Sequence, residues 1–141
     1  MAIRSATPYL LLGGKAEEAI SLYERALGAE LEELLRFGDV DRSCSEAVKA
    51  RVMNATLRIG AARLMLSDGP GDAPPDSGKV SVALDLTDRE QTRRSFDMLA
   101  EAGKVIEHLF DAPWGAYFGV VQDPFGVTWM FHCATSTADS A

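Results

Sequence analysis

The sequence has few of the residues that build disulfide frameworks and metal sites. Its 141 residues include two cysteines, Cys44 and Cys133, and two histidines, His108 and His132. Two cysteines make no disulfide framework, and two histidines cannot form a site of three histidine ligands. A chain of this length buries roughly 70% of its unfolded surface on folding, so it needs no such cross-links. We therefore expect one compact domain, residues 1–141.

Basic surface and long apolar runs are also scarce. The formal net charge is −7, from 14 basic and 21 acidic residues, and nearly all of it falls in residues 71–141. Nucleic acid binding needs a basic surface, so we expect no nucleic acid partner, whereas a cationic small molecule would be attracted. No run approaches the roughly 20 apolar residues of a membrane span, and the N-terminus lacks the apolar core of a secretion signal. We expect no membrane partner and a cytoplasmic location.

The predicted elements occur twice in the same order: strand, helix and three strands. The hydrophobic spacing predicts the first set as a strand at 8–13, a helix at 16–27, and strands at about 30–37, 51–59 and 62–67. It predicts the second set as a strand at 80–86, a helix capped by Thr87 or Asp88, and strands at about 104–110, 115–122 and 127–133. Between 38 and 49 we predict a loop with room for a helical turn.

Two glycines set the register of this repeat. Gly28 and Gly103 each follow a predicted helix, and we expect both to end it in the left-handed conformation. The proline-rich and glycine-rich stretch 69–79 links module 1, about 6–68, to module 2, about 80–133, and a tail follows at 134–141. The predicted fold is α+β, with two βαβββ modules in which one helix covers one face of a four-stranded sheet.

Alternation within the strands divides each sheet into an apolar face and a mixed face. Leu64 and Leu66 alternate with Met65, and Trp129 and Phe131 alternate in the same way with their neighbours. The apolar face packs on the helix, and the mixed face lines a cleft if the two sheets curl toward one another. The candidate ligand-binding residues on the mixed faces are Asn54, Thr56, Arg58, Met65, Ser81, Asp85, Met130 and His132.

Four segments carry a family resemblance: AISLYERALGA at 19–29, LMLSD at 64–68, Trp114-Gly115, and DPFGVTW at 123–129. Together they resemble the vicinal oxygen chelate superfamily, which includes glyoxalases and bleomycin resistance proteins, and in particular its PhnB-like branch. The resemblance implies paired βαβββ modules that form a curved mixed sheet around a cleft, in a homodimer. The sequence leaves open whether the modules exchange between subunits through 69–79.

Members of that superfamily with metal chemistry hold the metal at four positions, which the resemblance places at Pro8, Met65, Ser81 and Met130. None of these side chains is an imidazole, carboxylate or thiolate donor. We therefore predict no metal, no cofactor and no assigned catalytic residue. The alternative is a metal-dependent lyase, isomerase or dioxygenase with a non-standard ligand set that includes His132.

Several candidate residues have both a functional and a structural interpretation. Asn54 either orients a ligand by hydrogen bonding or is a polar residue on a solvated strand face. His132 is either a general base or proton shuttle, or a hydrogen-bonded structural residue. Met65 and Met130 either grip an irregular apolar ligand or fill the core.

Two aromatic residues lie near a glycine-bearing turn after Pro113. Trp114 and Tyr117 are candidates for closing the mouth of the cleft by stacking on a ligand, while Trp114 alternatively anchors a dimer contact. The leading hypothesis is a metal-free, PhnB-like protein that binds a small molecule in its cleft, with drug sequestration as the role that analogy suggests. A regulatory or scaffold dimer is the remaining alternative.

Overall fold

The computed structural model describes residues 7–69, 71 and 80–135, and it forms two compact units that divide between residues 75 and 76. This boundary falls within the predicted linker, most of which lies outside the described residues, as does most of the predicted tail. In the part of the chain that is described, no helix is long and apolar enough to cross a membrane.

Unit 1 is a four-stranded sheet with one long helix. Its elements are β1 (Tyr9–Leu11), α1 (Ala16–Leu27), β2 (Glu30–Arg36), α2 (Phe37–Val40), α3 (Glu46–Lys49), β3 (Val52–Ile59) and β4 (Ala62–Ser67). The strand order is β1-β4-β3-β2, with β1 parallel to β4 and the other pairs antiparallel. The segment predicted as a loop with a helical turn contains two short helices.

The helix α1 forms because its apolar residues recur on one side. Ala19, Ile20, Tyr23 and Ala26 are all buried at this helical spacing. The helix ends at Gly28, whose φ of +68° is the left-handed conformation that glycine adopts without a steric penalty. The predicted helix and its predicted end are both confirmed.

Unit 2 repeats the topology of unit 1. Its elements are β5 (Ser81–Leu86), α4 (Arg89–Ala100), β6 (Lys104–Ala112), β7 (Ala116–Gln122) and β8 (Thr128–Ala134). The strand order is β5-β8-β7-β6, and the first strand again runs parallel to the last. The repeat of strand, helix and three strands is therefore confirmed, as is the α+β fold class.

The core of unit 2 lies between α4 and its sheet. Trp129 and Phe131 are completely buried, and Phe96 of α4 meets Phe131 edge to face with ring centroids 5.5 Å apart. Asp88 begins α4 by accepting a hydrogen bond from the backbone N–H of Gln91 at 2.8 Å, as one of the two predicted caps. The strand predicted from residue 80 begins at Ser81, and Val80, which precedes it, is 78% exposed.

The prediction for Gly103 is wrong. The helix α4 ends at Ala100, and Glu101 follows in the right-handed conformation. The φ angle of Gly103 is not positive, so this residue is not left-handed. A Cβ atom at position 103 would lie 2.2 Å from the carbonyl oxygen of Gln122 and 2.8 Å from that of Leu99. Glycine is required here because two segments of backbone approach closely, and not because the helix turns back.

Candidate functional site

In unit 1, the predicted residues share the face of the sheet opposite α1, which we call the open face of unit 1. Thr56 lies opposite Met65 on the neighbouring strand, and Arg58 lies opposite Arg63. Residues in register on neighbouring strands point to the same side of the sheet. These two pairs therefore lie on the side opposite Leu57 and Leu64, which are buried on the helix side. Asn54 continues the alternation of Thr56 and Arg58. The structure therefore brings Asn54, Thr56, Arg58 and Met65 together.

An ion-pair cluster occupies one end of the open face of unit 1. Glu32 accepts two hydrogen bonds from Arg63, at 2.6 and 3.1 Å, and its carboxylate lies 3.5 Å from Arg58. Arg58 also pairs with Glu30. The hydrogen bond from Arg63 lowers the pKa of Glu32, and the same bond raises the pKa of Arg63. Arg58 is thus already paired with two carboxylates, and an anionic ligand would have to displace them.

Asn54 carries an unused hydrogen-bond acceptor. Its side-chain oxygen Oδ1 is shielded from solvent, and within the described residues it accepts no hydrogen bond. Leaving a buried polar atom without a partner costs about 1 to 3 kcal/mol. A donor on a ligand would reach this shielded oxygen only if the side chain turned toward the open face, so the role of Asn54 in orienting a ligand stays a prediction.

In unit 2, four predicted residues again share the face opposite the helix, the open face of unit 2. Asp85 is in register with His132, and Ala83, between Ser81 and Asp85, is in register with Met130. The His132 Nδ1 atom lies 3.5 Å from the Asp85 Oδ1 atom, and the Asp85 side chain is 89% exposed. The sequence offered no carboxylate partner for His132, because their proximity depends on the parallel pairing of the first and last strands.

Three aromatic rings lie beside this pair, and we call them the aromatic cluster: Phe110, Trp114 and Phe118. The Trp114 centroid is 5.4 Å from that of Phe118 and 6.3 Å from that of Phe110, in edge-to-face arrangements. Phe118 is in register with His132 on the adjacent strand. The sequence pointed to Trp114 but to neither phenylalanine. Alternation along the strand places Phe118 on the same face as Ala116, two positions before it.

Tyr117 does not join the predicted set, because it lies on the helix side of the sheet. It is in register with the buried Cys133, and the Arg89 guanidinium lies 3.8 Å from its ring centroid. Arg89 also donates to both carboxylate oxygens of Asp111, at 2.7 and 3.0 Å, and these bonds lower the pKa of Asp111. Tyr117 thus packs against the first residue of α4, on the side of the sheet away from Trp114.

The DPFGVTW segment has a structural explanation. The buried Asp123 accepts hydrogen bonds from the backbone N–H groups of Phe125 and Val127 through Oδ1, at 2.9 and 3.0 Å. Its Oδ2 accepts a hydrogen bond of 2.9 Å from Trp129 Nε1. Asp123 therefore holds the turn before β8 and satisfies the polar atom of the buried tryptophan. This carboxylate stabilises the fold and is not available to a ligand.

The described residues do not fit a divalent metal. At the four predicted metal positions stand Pro8, Met65, Ser81 and Met130, and the Pro8 carbonyl already accepts a hydrogen bond from the Met65 backbone. Across residues 7–69, 71 and 80–135, no group of three or more His, Cys, Asp or Glu side chains is placed so that it could hold a metal ion. Imidazole, carboxylate and thiolate donors are what zinc and similar metals require.

Comparisons with known proteins agree with this architecture. Protein YjdN of Escherichia coli is 31% identical over 136 residues, which cover 89% of this chain and 92% of that protein. The crystal structure of protein PA1353 from Pseudomonas aeruginosa is 36% identical, covers 94% of this chain and 99% of that one, and superposes with a TM-score of 0.81.

A more distant structure shares the fold alone. It is described as a putative 3-demethylubiquinone-9 3-methyltransferase, PhnB protein, from Bacillus cereus, with 23% identity, a TM-score of 0.76, and coverage of 93% of this chain and 100% of that one. The model of the Glyoxalase/Bleomycin resistance protein/Dioxygenase superfamily matches residues 6–131. This chain therefore belongs to the glyoxalase, bleomycin resistance and dioxygenase superfamily, also called the vicinal oxygen chelate superfamily.

Proposed function

We propose that this protein binds a small organic molecule on the open face of unit 2, without a metal, as a PhnB-like member of its superfamily. The observation that carries the proposal is the aromatic cluster beside the Asp85 and His132 pair. Trp114 is 59% exposed and Phe110 is 38% exposed. Large aromatic side chains that stay in solvent beside polar groups are typical of ligand-binding surfaces, where they supply contact area at low cost in conformational entropy.

The open face of unit 1, taken by itself, offers a separate set of candidate ligand contacts. Tyr9 and Leu11 are each 50% exposed, and Tyr9 is in register with Met65 on the open face. The flexible Met65 side chain can adapt to an irregular apolar group, and Asn54 is a polar residue of the same sheet face. By analogy with the superfamily, the biological role is sequestration of a drug-like compound by a cytoplasmic homodimer.

A thermal-shift screen tests the proposal. We expect at least one compound in a panel of cationic glycopeptide and peptide antibiotics to raise the melting temperature. A ligand at 100 times its dissociation constant stabilises the native state by about 2.7 kcal/mol, which corresponds to a rise of several degrees for a chain of this size. The Trp114→Ala variant should show a smaller rise with the same compound. If no compound shifts the wild-type protein, the resistance role is wrong.

Elemental analysis tests the absence of a metal. Protein purified without chelator should contain far less than one equivalent of zinc, nickel, iron or manganese, because the described residues offer no suitable donor set. Incubation with each metal and removal of the excess should leave the melting temperature unchanged. A stoichiometric metal would instead favour a lyase, isomerase or dioxygenase with a ligand set unlike that of its superfamily.

A further inference from the structure

We infer that the open face of unit 2 takes an amphipathic amine, with its apolar group on the aromatic cluster and its ammonium group at Asp85. This inference rests on the proposed function, because it names the ligand chemistry of one part of the same surface. It uses residues of unit 2 only, and it follows from the order in which three strands place an aromatic, an imidazole and a carboxylate.

The three strands form a row across the sheet. Phe118 on β7 is in register with His132 on β8, and His132 is in register with Asp85 on β5. Neighbouring strands lie about 4.8 Å apart, so the row measures about 10 Å from Phe118 to Asp85. A ligand that contacts both ends therefore carries its apolar and polar groups at opposite ends and lies over His132.

The apolar end of the row is the aromatic cluster. Phe110, Trp114 and Phe118 contact one another edge to face, with centroids 5.4 to 6.4 Å apart. This mutual packing orients the rings before any ligand binds, while Trp114 keeps more than half of its surface in solvent. An aromatic or aliphatic group placed on the cluster would remove apolar surface from water at little cost in conformational entropy.

The polar end favours a cation. Within the described residues, the charged or titratable group paired with Asp85 is His132, at 3.5 Å, which is longer than a strong charge-assisted hydrogen bond. The exposed carboxylate therefore retains oxygens that can accept from an ammonium group. Residues 71–141 hold nearly all of the net charge of −7, which adds to the attraction for a cation.

Titration of 4-phenylbutylamine and its uncharged analogue 4-phenylbutanol, followed by two-dimensional NMR, tests the inference. The amine should bind about tenfold more tightly than the alcohol at pH 8, with shifts of β5, β7 and β8 resonances. Asp85→Asn should reduce amine affinity to that of the alcohol. Asp97→Asn removes another exposed carboxylate, on α4 and away from the open face of unit 2, and should change neither affinity, which controls for net charge.

Three results would overturn the inference. Equal affinities for the amine and the alcohol would exclude the role of Asp85 but leave small-molecule binding intact. If Asp85→Asn and Asp97→Asn lowered the affinity for the amine equally, the preference for the amine would come from net charge and not from the position of Asp85. If neither probe binds while an antibiotic from the thermal-shift panel does, the amine site is wrong and the proposed function stands.

Discussion

Replacing Asp68 by alanine is expected to lower the free energy of unfolding by about 4 kcal/mol, because one buried carboxylate satisfies three backbone donors. Its Oδ1 accepts from the N–H groups of Gly14 and Ala16, at 2.9 and 2.8 Å, and its Oδ2 accepts from Val52 at 2.9 Å. These bonds hold the start of α1 against β3 from a residue that is only 5% exposed. Urea unfolding followed by circular dichroism measures the change.

Two variants make the Asp68 experiment specific. Asp68→Asn keeps one acceptor oxygen but turns an amide NH₂ group toward a backbone donor, so its loss should be smaller than that of alanine. Glu24→Ala removes an exposed carboxylate from the helix that Asp68 anchors, and it should change the stability by no more than about 0.5 kcal/mol. Equal losses for Asp68→Ala and Glu24→Ala would contradict the role of Asp68.

Those parts of the fold that depend on local sequence were predicted well. The helix α1 has the predicted bounds because Ala19, Ile20, Tyr23 and Ala26 mark one face and Gly28 marks its end. The strand β4 also has its predicted bounds, and each of the other strands differs from its predicted bounds by one or two residues at one or both ends. The topology could be predicted from the internal repeat, because two copies of the same order of elements predict two sheets with the same topology.

Those parts of the site that depend on strand pairing were predicted less well. The proximity of His132 to Asp85 requires that the last strand run parallel beside the first, which no local pattern specifies. Phe110 joins the aromatic cluster from β6, a strand whose pairing with β7 shifts register twice. After such shifts, simple alternation no longer tells which face a residue occupies. Tyr117 shows a related limit, because it is close to Trp114 in sequence and yet the two residues lie on opposite faces of the sheet.

The two helix-following glycines show how one residue type can serve two physical needs. At Gly28 the backbone is left-handed, and a Cβ atom there would meet no atom within 4 Å. At Gly103 the conformation is ordinary, but the backbone of two other segments fills the space of a side chain. A sequence pattern cannot separate these cases, because both glycines follow a helix. Their substitutions by alanine can separate them.

Gly103→Ala is expected to destabilise the protein by about 3 kcal/mol or more, and Gly28→Ala by about 1 kcal/mol. The alanine methyl at 103 would meet the Gln122 carbonyl oxygen at 2.2 Å, so β7 or the end of α4 would have to move. At 28 the methyl meets no atom, and the cost is that of the left-handed conformation alone. Urea unfolding of both variants measures the difference. A loss at 103 no larger than that at 28 would show that the backbone yields there at little cost.

Gly28→Asn should cost less than Gly28→Ala, since asparagine tolerates the left-handed region, whereas Gly103→Asn should be at least as damaging as Gly103→Ala.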